Sequence, residues 1–361
     1  MDTFRLLDLP PMTAAEHMAL DDVLLALKGD GKTLNTVRFL QFSPPAVLLG
    51  HHQAAEEEIR SDYCRKMGIQ VNRRITGGGA VFLDERQLGW EIICDKTFLN
   101  VDFITEKLFQ RLCEPVIRAL AKLGVRAEFR PRNDIEVNGR KISGTGGTEL
   151  YGALLFHGTI LMDGDISEML GCLNIPVEKL SVREIDSIRQ RVTSMTAELG
   201  SIPPISLVKA ELVKAFEKTF DIHLESMPLT EKEEAMMGTR LPFFQSEAWI
   251  HLIKSTSRAP KTLSALKKFD SGMVRFTLTI HRNNVQVKDF LITGDMLSFP
   301  SRGVYDLMAE IKGAPLDHHR IRGTIEKYFE NGLIHIPGMT CSEFIQPLDS
   351  IFEALGGICP A

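Results

Sequence analysis

The stretch Val71-Asn-Arg-Arg-Ile-Thr-Gly-Gly-Gly-Ala-Val-Phe-Leu-Asp84 sets the organisation of the chain. Arg73 and Arg74 end an alternating apolar run. Thr76 and three consecutive glycines, Gly77 to Gly79, separate it from a second short apolar run. Three glycines in a row bury no side chain and lose more backbone entropy on folding than other tripeptides. They suit a place where the backbone passes close to another group or where φ must be positive. Two arginines beside them suit an anionic neighbour. A glycine-rich hairpin tip with surface arginines is the plain alternative.

Outward from this stretch, Arg132-Asn-Asp-Ile-Glu-Val-Asn-Gly-Arg-Lys-Ile-Ser-Gly144 is the second informative segment. Ile135 and Val137 alternate with polar residues, and Asn138-Gly139 is a strong hairpin signal. Lys141 to Ser143 therefore begin a returning strand. Ala153 to Asp163, with Phe156-His-Gly-Thr-Ile160, extends the sheet. Gly144-x-Gly146 falls short of a dinucleotide fingerprint, because its sixth position is Glu149 and a hairpin precedes it. No Gly-x-x-x-x-Gly-Lys-Ser/Thr loop and no Gly-x-Ser-x-Gly elbow occur, and no cysteine neighbours a histidine.

The 361 residues favour two domains. Apolar content of 44% and charged content of 25% fit an ordinary globular protein. A net charge of −5 argues against non-specific nucleic-acid binding as the main task. Six cysteines (Cys64, Cys94, Cys113, Cys172, Cys341, Cys359) are scattered without a C-x-x-C pair, which points to a reducing compartment. With neither a signal-peptide core nor a membrane-length apolar run, the expectation is a cytoplasmic protein.

Thr13-Ala-Ala-Glu16 is a capping box, and Met18, Val23, Leu24 and Leu27 continue at helical spacing to Gly29. Strands are expected at Val37–Phe39, Ala46–Leu49, Gln70–Arg74 and Leu88–Cys94. Helices are expected at Glu57–Met67, Phe103–Leu123 and Ile205–Phe220. Gly50-His-His-Gln53 reads as a polar loop rather than a metal site. Leu180–Leu199 carries Arg183, Arg189 and Arg191 and leads into Val192-Thr-Ser-Met195. Glu225–Pro242 is polar, with Pro228, Gly238 and Pro242, and reads as a linker. Beyond it, Met273–His281 alternates, Asn283-Asn284 turns, Val285–Ile292 returns, and helices follow near Tyr305–Ile311 and His318–Phe329. That pattern is a small α+β domain.

Taken singly, Lys141 reads as a solvated hairpin lysine, Asp134 as a turn cap and His157 as a core histidine. Taken together, Arg-Arg-x-Thr-Gly-Gly-Gly-Ala-Val-Phe-x-Asp, Asn-Asp-Ile-x-Val-x-Gly-Arg-Lys-Ile-Ser-Gly, His-Gly-Thr-Ile-Leu and Arg-Val-Thr-Ser-Met resemble the lipoate–protein ligase family, within the wider biotin/lipoyl ligase fold. The resemblance runs from the first helix to about Phe220. It implies an α+β fold: a mixed/antiparallel β-sheet catalytic domain with packed helices over residues 1–225, a linker over 226–243, and a smaller α+β C-terminal domain over 244–361.

It also implies a two-step reaction, in which lipoate or octanoate and Mg-ATP form an acyl-adenylate and a lysine of a lipoyl carrier domain then takes the acyl group. The implied carrier resembles a glycine-cleavage H-protein or a dehydrogenase E2 domain, with no nucleic-acid or membrane partner and a monomeric enzyme. Lys141 is the implied catalytic residue, holding the acyl carbonyl and α-phosphate oxygens. Arg74, Gly77, Gly78 and Gly79 would line the acyl and phosphate channel. Val81 and Phe82 would border the adenine, and Asn133 and Asp134 would hold the phosphate–magnesium side, with Asp134 as the Mg2+ ligand. His157 would sit near the acyl pocket, and Thr76, Ala80, Ser143, Gly144, Gly158 and Thr159 would complete the substrate and adenylate site.

Two positions depart from the family pattern: Leu83 replaces a histidine, and Thr-Gly-Gly-Thr follows Gly144. The competing expectations are an ATP-independent acyltransferase of the same fold and a non-catalytic carrier-binding homologue. No cysteine lies just before Asp134, where a cysteine-type transferase would place one. The Gly-Arg-Gly-Arg signature of biotin ligases is missing.

Overall fold

An eight-stranded mixed sheet carries the larger part of the chain. The computed structural model describes residues 1–101, 104–131, 133–163, 167–174, 190–254, 261–281 and 286–356. Arg132, Arg183, Arg189, Cys359 and the Asn283-Asn284 turn lie outside the described residues. The strands of the large sheet are β1 (Asp2–Asp8), β2 (Thr36–Leu40), β6 (Gln87–Asp95), β7 (Glu128–Arg130), β8 (Asp134–Val137), β9 (Arg140–Leu150), β10 (Ala153–Leu161) and β11 (Ile222–Ser226). Their order across the sheet is β11-β1-β2-β6-β10-β9-β8-β7. Strand β1 pairs in parallel with both neighbours, and the other pairs are antiparallel.

Helices cover both faces. The helix α1 (Ala14–Gly29) begins in the expected capping box, with Thr13 and Glu16 bonding each other's backbone N–H. It buries Met18, Leu20, Leu24 and Leu25 against Leu40, Ile93 and Leu155. On the opposite face, α5 (Glu106–Lys122) and α8 (Ile205–Phe220) pack Phe109, Leu112, Val116, Leu212 and Phe216 around Trp90 and Phe156. Each such fully buried side chain contributes roughly 1.5–3 kcal/mol, so this layer is the main stabiliser of the sheet.

Gly158 belongs to that layer. A Cβ there would lie 2.6–2.9 Å from the Trp90 indole. Trp90 is fully buried. Gly158→Ala is expected to cost about 1–3 kcal/mol by overpacking, read as a lower urea midpoint. An unchanged midpoint would show that the indole has room to shift.

A second sheet frames the glycine stretch, with β3 (Ala46–Leu49) between β4 (Gln70–Arg73) and β5 (Val81–Leu83). The expected helix over Glu57–Met67 is two: α2 (Ala55–Glu58) and α3 (Ser61–Met67). Ile59 is extended between them, because it bridges Leu173 while the Arg60 N–H donates to the Cys172 carbonyl at 2.7 Å. The short helices α4 (Lys96–Leu99), α6 (Ser167–Cys172) and α7 (Met195–Leu199) fill connections.

Residues 226–243, expected as a linker, hold most of the helix α9 (Glu231–Phe244), followed by α10 (Glu247–Ile250). Thr230 and Glu233 start it with a second capping box. Glu233 reaches Arg5 in a buried ion pair at 2.8 Å, and Arg240 pairs with Asp22 on α1. The polar residues that suggested a linker are thus partners of buried charges.

The remaining chain builds an antiparallel sheet, β12 (Thr262–Phe269), β13 (Gly272–Ile280) and β14 (Val287–Gly294), backed by α11 (Arg302–Ile311), α12 (His318–Glu330) and α13 (Cys341–Gly356). It has its own core around Phe276, Phe290, Ile325 and Phe344. The α+β expectation holds in both parts. Among the described residues, no helix is long and apolar enough to cross a membrane.

Candidate functional site

Lys141 lies near the start of β9, after the expected Asn138-Gly139 turn, where both turn residues have positive φ (52° and 75°). The β8–β9 ladder slips by one residue between Ile135 and Glu136. Such a bulge turns the strand locally and brings Lys141 beside Asp134. Their Nζ and Oδ1 atoms are 2.7 Å apart, with the lysine 40% and the aspartate 22% exposed. An ion pair this open is worth only ~0–1 kcal/mol, so the ammonium is free to exchange Asp134 for another anion. Gly144 leaves the space for it: a Cβ there would stand 2.8 Å from both Cε and Nζ of Lys141.

The Arg191–Thr193 segment flanks the lysine. The Lys141 N–H donates to the Arg191 carbonyl and the Thr193 N–H to the Lys141 carbonyl, each at 2.8 Å. The weak fourth sequence motif is therefore a strand-like partner of the second.

The two arginines of the opening stretch do different work from the expected anion binding. Arg73 is fully buried and donates to the carbonyls of Gly50, His51, Trp249 and Ile250 at 2.8–3.2 Å. Arg74 donates to the Gly77, Gly79 and Leu48 carbonyls and to Thr76 Oγ1 at 2.7–3.2 Å. Burial pushes the pKa of Arg74 down to about 10, and it stays cationic at neutral pH. The glycine loop thus folds round a guanidinium that collects its carbonyls. Gly78, at φ 98°, lies so close to Gly50 that a Cβ on Gly50 would fall 1.8 Å from the Gly78 oxygen.

His157, which the loop touches, belongs to a row of residues paired across four strands: Arg38, Glu91, His157 and Gly146. His157 Nε2 and Thr76 Oγ1 are 3.0 Å apart. Burial, and then the Arg74 charge, push the His157 pKa down to about 3, so the ring is neutral at physiological pH. Deeper in, Arg38 bonds Glu91 at 2.9 Å and also pairs with Asp21 of α1. Burial drives both carboxyls upward, Glu91 to about 8. This charged row was not singled out in the sequence, where no local pattern joins the four strands.

The other expected site residues divide. Asn133 and Thr145 exchange hydrogen bonds at 2.8–2.9 Å, which fixes the β8–β9 entrance. The Ser143 hydroxyl is buried and has no hydrogen-bond partner among the described residues. Thr159 shares the strand face of His157. Gly158 faces the other way, where a Cβ would meet Trp90. Val81 and Leu83 pack toward the α1 core, while Phe82 packs with Ile59 and Cys64, and Ala80 lies beside it. Leu83 is core here, which accounts for an apolar residue at that position.

The Gly50–Gln53 loop is not a solvated polar loop. His51 and His52 are packed against Tyr305, and His51 also against Trp249. Burial lowers both pKa values, His51 to about 3. Among the described residues, no group of three or more His, Cys, Asp or Glu is placed to hold a metal ion. Beside Lys141 the site offers the half-buried carboxylate of Asp134. This fits Mg2+, which is commonly held by one or two carboxylates with substrate phosphates supplying further oxygens.

The profile of the lipoyl protein ligase A/B catalytic domain matches residues 13–217. The chain is 32% identical to the lipoate–protein ligase LplJ of Bacillus subtilis over 257 residues, covering 70% of this chain and 73% of that protein. It is 28% identical to the octanoyltransferase LipM of Brevibacillus brevis over 263 residues, covering 65% of this chain and 94% of the relative. Among solved structures, a bipartite lipoate–protein ligase described with its E2 lipoyl domain, from Thermoplasma acidophilum, superposes with a TM-score of 0.62 at 28% identity, covering 71% of this chain and 99% of the other. A lipoate–protein ligase A bound with ATP gives 0.61 at 28%, covering 70% and 100%. Fold and site together place the chain in the class of lipoate ligase and octanoyltransferase enzymes. It belongs to the lipoyl protein ligase A/B catalytic-domain family.

Proposed function

We propose that this protein is an ATP-dependent lipoate–protein ligase. The carboxylate of lipoate or octanoate attacks the α-phosphorus of ATP and releases pyrophosphate. The ε-amine of a carrier lysine then attacks the acyl carbonyl and releases AMP. The observation that carries this reading is Lys141, whose ammonium is half-exposed, loosely held by Asp134 and given room by Gly144. A fixed cation there offsets charge on the α-phosphate oxygens in the first step and on the carbonyl oxygen in the second. Asp134, released from the lysine, is the carboxylate that would hold Mg2+, which neutralises phosphate charge when bound. Neutral His157 and Thr76 offer uncharged hydrogen-bonding groups on the face where the acyl chain would lie.

The likeness to an ATP-bound ligase supports this reading. The octanoyltransferase relative supports a second: acyl transfer between carriers without ATP. Cys113 is buried, and burial pushes its thiol up to about 12. A thiol in that state is a poor nucleophile, which favours the ligase over a cysteine-type transferase. The proposed partner is a lipoyl carrier domain of the dehydrogenase E2 or glycine-cleavage H-protein kind.

One assay separates the readings. The protein is incubated with apo carrier domain, lipoate and Mg-ATP, while AMP release and carrier mass are followed. Carrier acylation with stoichiometric AMP is expected. Acylation that proceeds without ATP but requires an octanoyl carrier would replace the ligase reading by the transferase. No acylation under either condition would leave a carrier-binding protein.

A further inference from the structure

Gly77, Gly78 and Gly146 have no side chains, and together they leave a gap over the sheet face beside His157. The C-terminal domain puts Leu297 into that gap. A Cβ at Gly77, Gly78 or Gly146 would come within 3.4, 3.8 or 3.7 Å of Leu297 Cδ2. The segment carrying Leu297 is anchored on both sides. The Gly78 N–H donates to the Met296 carbonyl at 3.4 Å and the Gly294 N–H to the His52 carbonyl at 3.1 Å. The Tyr305 hydroxyl donates to the His51 carbonyl at 3.0 Å, and the Thr148 and Ser301 hydroxyls are 3.1 Å apart. Leu297 also packs against the large apolar core, yet it stays half-buried, as do His157 and the residues from Gly79 to Val81. It therefore has one packed side and one open side.

Its place along β9 matters. The Lys141 ammonium lies at Gly144, and Leu297 lies at Gly146, two residues and about 7 Å further along the strand. A medium-length acyl chain that starts at Lys141 and follows this face would meet Leu297 before it ends. We propose that Leu297, supplied by the C-terminal domain, is a wall of the acyl pocket and determines which chain lengths are accepted. This rests on the ligase reading above. It gives the C-terminal domain a part in substrate choice.

The test measures kcat and KM of the full-length protein by pyrophosphate release, with Mg-ATP and linear carboxylic acids of six, eight, ten and twelve carbons. Leu297→Ala is expected to raise the ten-to-eight-carbon ratio of kcat/KM by about tenfold, the scale of one or two methylenes in an apolar pocket, with the change mostly in KM. Leu297→Phe is expected to lower that ratio by a similar factor, and Leu297→Met to keep the wild-type profile. Thermal unfolding of each variant confirms that it is folded. Equal changes at all chain lengths, or none, in an active wild-type background would overturn the inference alone. A wild-type protein that releases pyrophosphate with none of these acids, nor with lipoate, would overturn the ligase reading and this inference with it.

Discussion

Lys141→Ala is expected to lower acyl-adenylate formation by about 10²–10³-fold, the usual effect of removing a group aimed at developing negative charge. The loss should appear chiefly in kcat, because the ammonium's largest contribution comes as charge builds on the α-phosphate oxygens. Stability should change by less than about 1 kcal/mol, since the lysine is 40% exposed and its pair with Asp134 is open to solvent. Pyrophosphate release and a thermal unfolding curve on the same preparation separate the two effects. A folded variant that retains a tenth or more of the wild-type rate would remove Lys141 from the mechanism. A variant that fails to fold would mean that the Arg191–Thr193 pairing depends on the side chain as well as on the backbone.

Arg73→Ala has the opposite profile. The guanidinium is fully buried and serves four backbone carbonyls, two from the Gly50–His51 loop and two from α10. Alanine leaves those carbonyls inside without donors and opens a cavity between the glycine-loop layer and the C-terminal side. Each buried acceptor left unpaired costs about 1–3 kcal/mol, and partial relaxation leaves an expected total of roughly 3–5 kcal/mol. Urea unfolding followed by the combined fluorescence of Trp90 and Trp249, the second of which supplies one of the four carbonyls, reads this loss. Arg73→Lys should recover only part of the loss, because an ammonium cannot span carbonyls on two segments as a planar fork does. A midpoint within about 1 kcal/mol of wild type would show that water or other donors serve these carbonyls.

These two residues also mark what was legible in the chain. The Asn138-Gly139 turn and the capping box at Thr13 depend on neighbours in sequence and formed where the pattern placed them, and strands formed over the expected Leu88–Cys94 and over most of Ala153–Asp163. The same holds for Ile205–Phe220, whose bounds match the expectation. The helix α9 was missed because its charges looked solvated. Their partners, Arg5 and Asp22, are more than two hundred residues away in sequence. Strands β1 and β11 escaped for a similar reason: their mutual parallel pairing joins the two ends of the catalytic part, which no local pattern records.

At the site, sequence alone determined the residue types and their local spacing: a lysine just past a tight turn, an aspartate before it, and three glycines after two arginines. That is enough for the family, since turn chemistry and motif spacing are local properties. Only the tertiary structure decided the direction of each side chain. It aimed Arg73 and Arg74 at carbonyls, because a buried guanidinium must satisfy its donors within the protein. It turned Gly158 onto Trp90, because neighbouring residues of a strand face opposite sides. It brought Leu297 from the C-terminal part of the chain to the glycine loop, a contact no local pattern encodes.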